Sequence, residues 1–486
     1  MPPRDKCPGA PPGARVSKLG CAARHHRLAW VPSNAGGSVP NVDATVGARG
    51  PCIRGGRVKV AIVHEWFDTY AGSERVVEQM LQLFPQADVF GVVDVLPDRQ
   101  RAFLGGRPVH TTFIQHLPFA RRRFRHYLAL MPLAVEQLDL SGYDLVLSSS
   151  HAVAKGVLTG PNQLHVSYVH SPMRYATDLQ HQYLREAGLA HGPAGLLARV
   201  MLHYLRMWDF RTGPGVDVFI ANSAFVAHRV RKTYGRESTV VYPPVDVDAF
   251  ALRADKDDYY FAAARMVPYK KMPLLVEAFT HMPARRLVVA GEGPDLQRCR
   301  KLAAGHPNIE LVGHLPFDRL REHMQRARAF VFAAEEDFGI TLVEAQACGT
   351  PVIAFGRGGA RETVRTLGGS GTPTGVLFDA QTPASVVAAV GRFEAAGHQI
   401  QALHCRANAE RFSVGAFRSA FRRVVDEALA RHEQPVRAAA APSPEGAAAS
   451  TGAAFPVNLQ PFRLAAGRPR PARAVLRRGA PHDSLG

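Results

Sequence analysis

Short, continuously apolar segments alternate with helical ones along this chain, twice over, and no other feature limits its fold as tightly. Val58 to Val63 is an apolar, β-branched run, as expected of a central parallel strand covered on both faces. A loop, "HEWFDTYAGSER", leads from it into a helix through Phe84. "DVFGVVD", "YDLVLSSS", "LHVSYVH" and "VDVFIANS" read as further buried strands. The theme then restarts with "YYFAAAR", "RLVVAGEG", "IELVGHL", "AFVFAAEE", "PVIAF" and "GVLFD", separated by helices. One of these helices has a clear start, with Thr382 at the N-cap and Pro383 at the first helical position. Two successive runs of βα units, joined by the turn-rich "YPPVDVD" near Tyr242 to Asp248, predict an α/β protein. Its two doubly wound, Rossmann-like domains would face each other across a cleft.

The predicted organisation is a basic, disordered stretch at 1–56, an N-terminal domain at 57–241 and a C-terminal domain at 242–412. A closing helix at 413–432 and a second disordered stretch at 433–486 complete it. Both ends are rich in Gly, Pro, Ala and Arg and bury too little apolar surface to offset chain entropy. Structure begins abruptly at "RVKVAIVHEW", which leaves a misplaced start site as one account of the first 56 residues. The net charge of +18 is concentrated at the ends. Residues 1–56 carry 8 Lys/Arg against 2 Asp/Glu, and residues 433–486 carry 7 Arg against 3 Asp/Glu. Those ends lack interleaved aromatics or a recognisable module, so no nucleic-acid partner is expected. No apolar run approaches a membrane span or a signal-peptide core, and cytoplasmic residence is the expectation. The six cysteines show no C-x-x-C spacing, which argues against a zinc site or a disulfide framework.

The segment richest in chemistry is "AAEEDFGITLVEAQACGTPVIAFGRGGARETV", residues 333–364. A strand ends in a loop, and Gly339 permits close backbone approach before a helix starts near Ile340. That helix start offers unpaired N–H groups and the positive end of a dipole, a cradle for a diphosphate. Glu336 lies just before it, and Glu344, eight residues on, about two turns inside. In "AAARMVPYKKM", Arg265 follows a strand and Lys271 comes six residues later, with Lys270 as the competing second cation. Two fixed cations stabilise the charge developing on a leaving phosphate without a divalent ion.

"EDFGITLVEA" resembles the glutamate–seven-residue–glutamate motif of glycosyltransferase family 4, and "HSPMRY" is similar to members that build bacterial surface polysaccharides, some of them mannosyltransferases. The resemblance covers roughly residues 57–431. It implies the GT-B fold, a retaining reaction and a nucleotide-sugar donor such as GDP-mannose. It also implies that Glu336 contacts the transferred hexose, that Glu344 contacts the donor ribose, and that the backbone at Phe338, Gly339, Ile340 and Thr341 holds the diphosphate. The arginine and lysine of the family's diphosphate pair match Arg265 and Lys271. "YAGSERVV" resembles the family's first loop, with Gly72 facing the donor and Ala71 in place of a first glycine; alternatively, Ser73 simply caps a helix. The family's N-domain histidine best matches His151, in "LSSSHAVAKG", after the "YDLVLSS" strand. His170 and Arg174, in "HSPMRY", are candidate sugar or acceptor contacts, and the residues do not choose between the two histidines.

"GEGPDL" lacks the last glycine of a dinucleotide fingerprint, and "DVD" at Asp246 to Asp248 sits in a turn where aspartates cap. Neither a metal site nor a cofactor is expected. "FARRRFRHYLALMPLAVEQL" sets four arginines beside apolar residues. That suits either a membrane-contacting rim at Arg121 to Arg125, for a lipid-linked acceptor at the inner face, or arginines snorkelling over a core. The resulting expectation is a retaining, metal-independent transferase moving mannose from GDP-mannose to a lipid-linked or growing polysaccharide acceptor. A soluble disaccharide or sugar-phosphate synthase is the alternative within enzymes, and a catalytically dead scaffold or nucleic-acid binder the alternative outside them.

Overall fold

The structure, a computed structural model, describes residues 52–53 and 56–440, with side chains from 58 to 433. The stretches expected to be disordered lie almost wholly outside the described residues. Seven parallel strands form the first sheet: β1 (Val60–His64), β2 (Asp88–Gly91), β3 (Val109–Thr111), β4 (Leu145–Ser150), β5 (Leu164–Val169), β6 (Val218–Ala221) and β7 (Ser238–Val240). Their order is β3-β2-β1-β4-β5-β6-β7. The second sheet contains β8 (Asp257–Ala263), β9 (Leu287–Ala290), β10 (Ile309–Gly313), β11 (Ala327–Phe332), β12 (Val352–Phe355) and β13 (Gly375–Phe378). Its order is β10-β9-β8-β11-β12-β13, the same winding. Every residue of β1, β4 and β5 is buried, which explains why these strands read as continuous apolar runs.

In each sheet the winding reverses between the first and fourth strands, β1 beside β4 and β8 beside β11. A crevice opens at such a reversal, outside the carboxyl ends of the strands. His64 and Ser150 end the pair in the first sheet; Ala263 and Phe332 end the pair in the second.

The closing helix runs over Val414–Ala440, longer than its sequence signal. It does not cap the second sheet. Phe417, Phe421, Val425 and Leu429 share a buried cluster with Val60, Ile62, Tyr168 and Ile220 of the first. The chain thus crosses between the sheets twice. The crossings touch, with Val245 N–H donating to Phe412 O at 2.9 Å. Asp246, in the acidic triplet of this join, accepts from Ala249 N–H and caps a turn. Thr382 caps its helix through Ser385 N–H, as its sequence predicts.

Candidate functional site

On the first sheet's edge, β1 ends in His64 and Glu65, both fully buried. The Glu65 carboxylate accepts backbone N–H bonds from His151 and Ala152 at 2.7 Å, Val153 at 2.7 Å and Ala154 at 3.0 Å. Ser150 Oγ donates to it as well. One side chain therefore fixes the loop that carries His151, whose ring stands edge-on to Trp66 at 4.9 Å. His64 Nε2 lies 3.2 Å from Glu74, and its Nδ1 lies 3.1 Å from Ser149 Oγ, which in turn meets His170 Nε2 at 2.8 Å.

Burial alone would lower the pKa of His64, but the hydrogen bond and charge of Glu74 outweigh it and raise the ring above 6.5. His151 and His170 shift the other way. Burial lowers both, and the cationic tendency of His64 adds to it. The cluster thus sets one imidazole of raised proton affinity behind two of lowered proton affinity, and those two line the cleft.

Ser73 does not cap the following helix. The helix Gly72–Leu83 starts after Ala71, and Glu74 takes the capping role, accepting from Ala71 N–H at 2.9 Å and Ser73 Oγ–H at 3.0 Å. Gly72 faces Ile340 across the cleft. A Cβ there would stand 2.9 Å from the end of the Ile340 side chain, which would have to turn aside to admit it.

On the second sheet, Gly339 takes the left-handed conformation, φ +87°, and the helix Ile340–Ala347 begins behind it. Glu344 therefore sits just over one turn inside, not two, because the loop through Gly339 takes up half of the eight-residue spacing from Glu336. It is buried, and burial raises its carboxyl above the usual range against the pull of Arg75, whose guanidinium is 3.1 Å away. Glu336 is half-buried in the preceding loop, where its carbonyl accepts from Gly359 N–H at 2.8 Å. Its carboxylate contacts Lys270. Burial, with repulsion from Arg265 and Arg174, pushes the Lys270 ammonium below its ordinary value, so a further anion beside it would be welcome.

Lys270, and not Lys271, joins Arg265 on the cavity wall. Lys271 occupies a left-handed backbone position, φ +56°, at the start of the helix Met272–Thr280, and its charge acts on Asp295 instead. The six-residue spacing from Arg265 misleads here because that backbone turn reverses which of two adjacent lysines faces inward.

Two adjoining cavities fill the cleft. One, of about 300 Å³, is lined by Gly72, Arg75, Arg265, Lys270, Ile340 and Glu344, among others. The other, of about 450 Å³, includes His151, His170, Arg174, Glu336, Phe338 and Gly339 in its wall. Gly72, Tyr269, Ile340 and Thr341 belong to both, so a ligand can run from one into the other. Arg174 bonds Asp337 at 3.0 Å, and Arg229 reaches the same carboxylate at 2.7 Å. His64, Glu65, Arg75 and Asp337 were missed in the sequence, where the polar pair closing the first strand was the available signal.

Two family models match adjoining stretches of the chain. Glycosyltransferase Family 4 matches residues 70–249 and Glycosyl transferases group 1 matches residues 246–412. The chain is 34% identical to a D-inositol 3-phosphate glycosyltransferase of Geodermatophilus obscurus over 47% of its own length and 54% of that protein. It is 32% identical to a GDP-mannose-dependent alpha-(1-6)-phosphatidylinositol monomannoside mannosyltransferase of Mycobacterium tuberculosis over 37% of its length and 53% of that protein. It thus spans about half the length of the curated relatives it matches. Among solved structures, sucrose-phosphate synthase from Thermosynechococcus elongatus aligns over 77% of this chain and 100% of its own, with a TM-score of 0.57 and 17% identity. Anabaena HepE in complex with UDP and glucose aligns over 76% and 100%, with a TM-score of 0.54 and 16% identity. These likenesses define the fold.

Lys270→Ala should lower nucleoside-diphosphate affinity about ten- to a hundredfold, the range of a charged hydrogen bond, and Lys271→Ala should leave it close to wild type. Calorimetric titration of both variants decides which lysine faces the anion. The neutral histidines carry a stability signature. Unfolding releases His151 and His170 to their ordinary value of 6.5, so the unfolded chain takes up protons that the folded one refuses. Their contribution is present above pH 6.5 and lost as pH falls below it. His170→Asn should therefore narrow the difference in Tm between pH about 7.5 and about 5.5. An undiminished difference would show that His170 is protonated in the folded state.

Proposed function

From this chain's membership of the family 4 glycosyltransferases, with the GT-B fold, we propose that it transfers a hexose, mannose from GDP-mannose, to a lipid-linked or growing polysaccharide acceptor. The transfer would retain the anomeric configuration and need no metal. One observation carries the reading: Arg265, Lys270 and Glu344 line a cavity that adjoins a second, walled by Glu336 and by His151 and His170 of the opposite sheet.

The residues divide naturally. The backbone at Gly339 to Thr341 presents the N-terminus of the helix Ile340–Ala347 to the diphosphate, assisted by Arg265 and Lys270. Glu344 accepts from the ribose hydroxyls once Arg75 yields it. Glu336 leaves Lys270 to the diphosphate and turns to a hexose hydroxyl. His151 and His170, both neutral, hold the sugar from the acceptor side, with Arg174 beside them. In a front-face transfer the bond from the anomeric carbon to the diphosphate oxygen breaks, the acceptor oxygen bonds to that carbon, and the leaving oxygen takes the acceptor's proton. Fixed cations serve such a step by stabilising the departing charge without reorganising.

Mannose and a lipid-linked acceptor are supported by the named activities of relatives such as the mycobacterial mannosyltransferase. No helix of the described residues is long and apolar enough to cross a membrane. The acceptor would therefore be met by a chain lying against the inner face, with the region of Arg121 to Arg125 in contact.

Glu344→Ala should weaken binding of the bare nucleoside diphosphate by about ten- to a hundredfold, since it removes a charged acceptor of the ribose hydroxyls. Glu336→Ala should hold or raise that affinity, because it releases Lys270, yet cut turnover with the full donor. Calorimetry and steady-state kinetics separate the two, and equal loss of diphosphate affinity in both variants would refute the division. Transfer should also continue in EDTA. Abolition by chelation with rescue by manganese would show that Arg265 and Lys270 do not suffice.

A further inference from the structure

Thirteen large apolar side chains stand exposed among the described residues, and ten of them fall in two segments of the first domain. The helix Gly192–Arg211 presents Leu196, Leu197, Val200, Tyr204, Met207 and Phe210 to solvent, with Leu197 71% and Phe210 60% exposed. Their spacing puts them along one side, while Leu202, Leu205 and Trp208 turn into the core. The second segment exposes Phe113, Phe119, Leu130 and Leu133. Phe119 is 75% exposed, on a left-handed backbone position at φ +58° that an apolar residue rarely takes.

This second segment is not the single amphipathic helix that its composition suggests. It breaks into a four-residue helix at Ala120–Arg123, a 3-10 stretch at Phe124–Leu130 and a short helix at Met131–Glu136. Arg121, Arg122 and Arg123 stay exposed, while Arg125 lies over the Phe124 and Trp66 rings and pairs with Asp68. The two segments adjoin. Glu136 accepts from Trp208 Nε1–H at 2.8 Å and contacts Arg211, and Phe124 and Met131 share a buried cluster with Leu202 and Leu205.

We propose that these two segments form one docking surface for the anionic face of a lipid bilayer, with the helix Gly192–Arg211 lying in the interface plane. The charge pattern selects this occupant. Residues 113–133 contain four arginines and no Asp or Glu, and the helix Gly192–Arg211 contains three arginines and one acidic residue, Asp209, buried against Lys155. Apolar stripes bordered by an excess of cations, with Arg125 paired to Asp68 and Arg211 to Glu136, match acyl chains beneath anionic headgroups. Large exposed apolar patches mark interaction sites.

The surface is coupled to the cleft. Arg206 donates to Ala176 O at 2.6 Å and to Gln180 Oε1 at 2.8 Å, tying the helix to the turn after Arg174 and Tyr175 in the cavity wall. Docking would therefore hold the acceptor side of the cleft next to the bilayer. The inference rests on the proposed lipid-linked acceptor for its purpose, while the surface itself is tested without it.

The test uses the full chain in co-sedimentation with phosphatidylcholine vesicles, with and without phosphatidylglycerol. Wild type should bind the anionic vesicles preferentially. Combined Leu197→Gln, Val200→Gln, Met207→Gln and Phe210→Gln should lower partitioning about tenfold or more, since the apolar contribution is lost at any salt. Nucleoside-diphosphate affinity and the circular dichroism spectrum should not change. Wild-type partitioning by the quadruple variant, or equal binding to both vesicle types, overturns the proposal. So does a dimer in sedimentation velocity that the four substitutions dissociate, which would give the stripe to a second copy. If GDP-mannose transfer fails while vesicle binding and its loss in the variant persist, the proposed activity falls and the docking surface stands.

Discussion

The carboxylates of the second domain are paired with cations and helix N–H groups of the first, and the arrangement of the cleft depends on this pairing. Glu344 bonds Arg75, Asp337 bonds Arg174 and Arg229, and Glu362 accepts from the Ala224 and Phe225 N–H groups at a helix start. Charges taken from water need such partners, because an uncompensated one costs several kcal/mol. The pairs have unequal consequences. Glu362 caps a helix away from the two cavities and can persist through a reaction cycle. Glu344 and Arg75 both line the smaller cavity, so a ligand whose hydroxyls bond Glu344 must also offer Arg75 an acceptor. Lys270 and Glu336 form a second exchangeable pair. The cleft is thus built from groups that satisfy one another when it holds only water and that ligand polar atoms can replace in kind.

The same logic orders the first sheet's edge. Glu65 is buried at the end of β1 and takes four backbone N–H groups from one turn. The turn cannot move without stranding that buried carboxylate from its donors. His151 inherits that rigidity, and His170 is linked through Ser149 to His64 and so to Glu74 at the helix start beside Gly72. Positioning of the histidines therefore depends on residues that touch no cavity.

Much of this was legible in the sequence, for identifiable reasons. Buried parallel strands announce themselves as apolar runs, and both sheets follow. Glu336, Gly339 and Glu344 stand out because a glycine between a strand and a helix has few other uses. Features set by backbone direction or by distant packing left no such mark. Lys270 and Lys271 are identical in composition and differ only in a φ angle. The helix Val414–Ala440 shows its own periodicity but not which sheet it covers. His64 and Glu65 continue an apolar strand by only two residues and read as the start of a loop. The apolar face of Gly192–Arg211 is invisible as such, because a stripe directed at water and one directed at a core have the same spacing.

The last element joins the cleft to the way the halves are connected. Tyr242 from the first crossing and Phe412 from the second pack ring to ring at 5.0 Å, and both pack on Phe338, at 5.7 and 5.4 Å. Phe338 is the residue between Asp337 and Gly339, in the loop whose backbone leads into the helix Ile340–Ala347. It borders the larger cavity and is only 3% exposed in this three-ring cluster. Both crossings touch at Val245 and Phe412, so relative movement of the two sheets must bend the chain there. Closed α/β clefts exclude water from reacting groups, and hinges are the few residues that absorb the motion. Here the hinge is packed directly against the loop that carries Glu336, so displacement of one is transmitted to the other through a close-packed aromatic contact. The loop of the candidate sugar-contacting carboxylate and the join between the domains consequently share one three-ring contact.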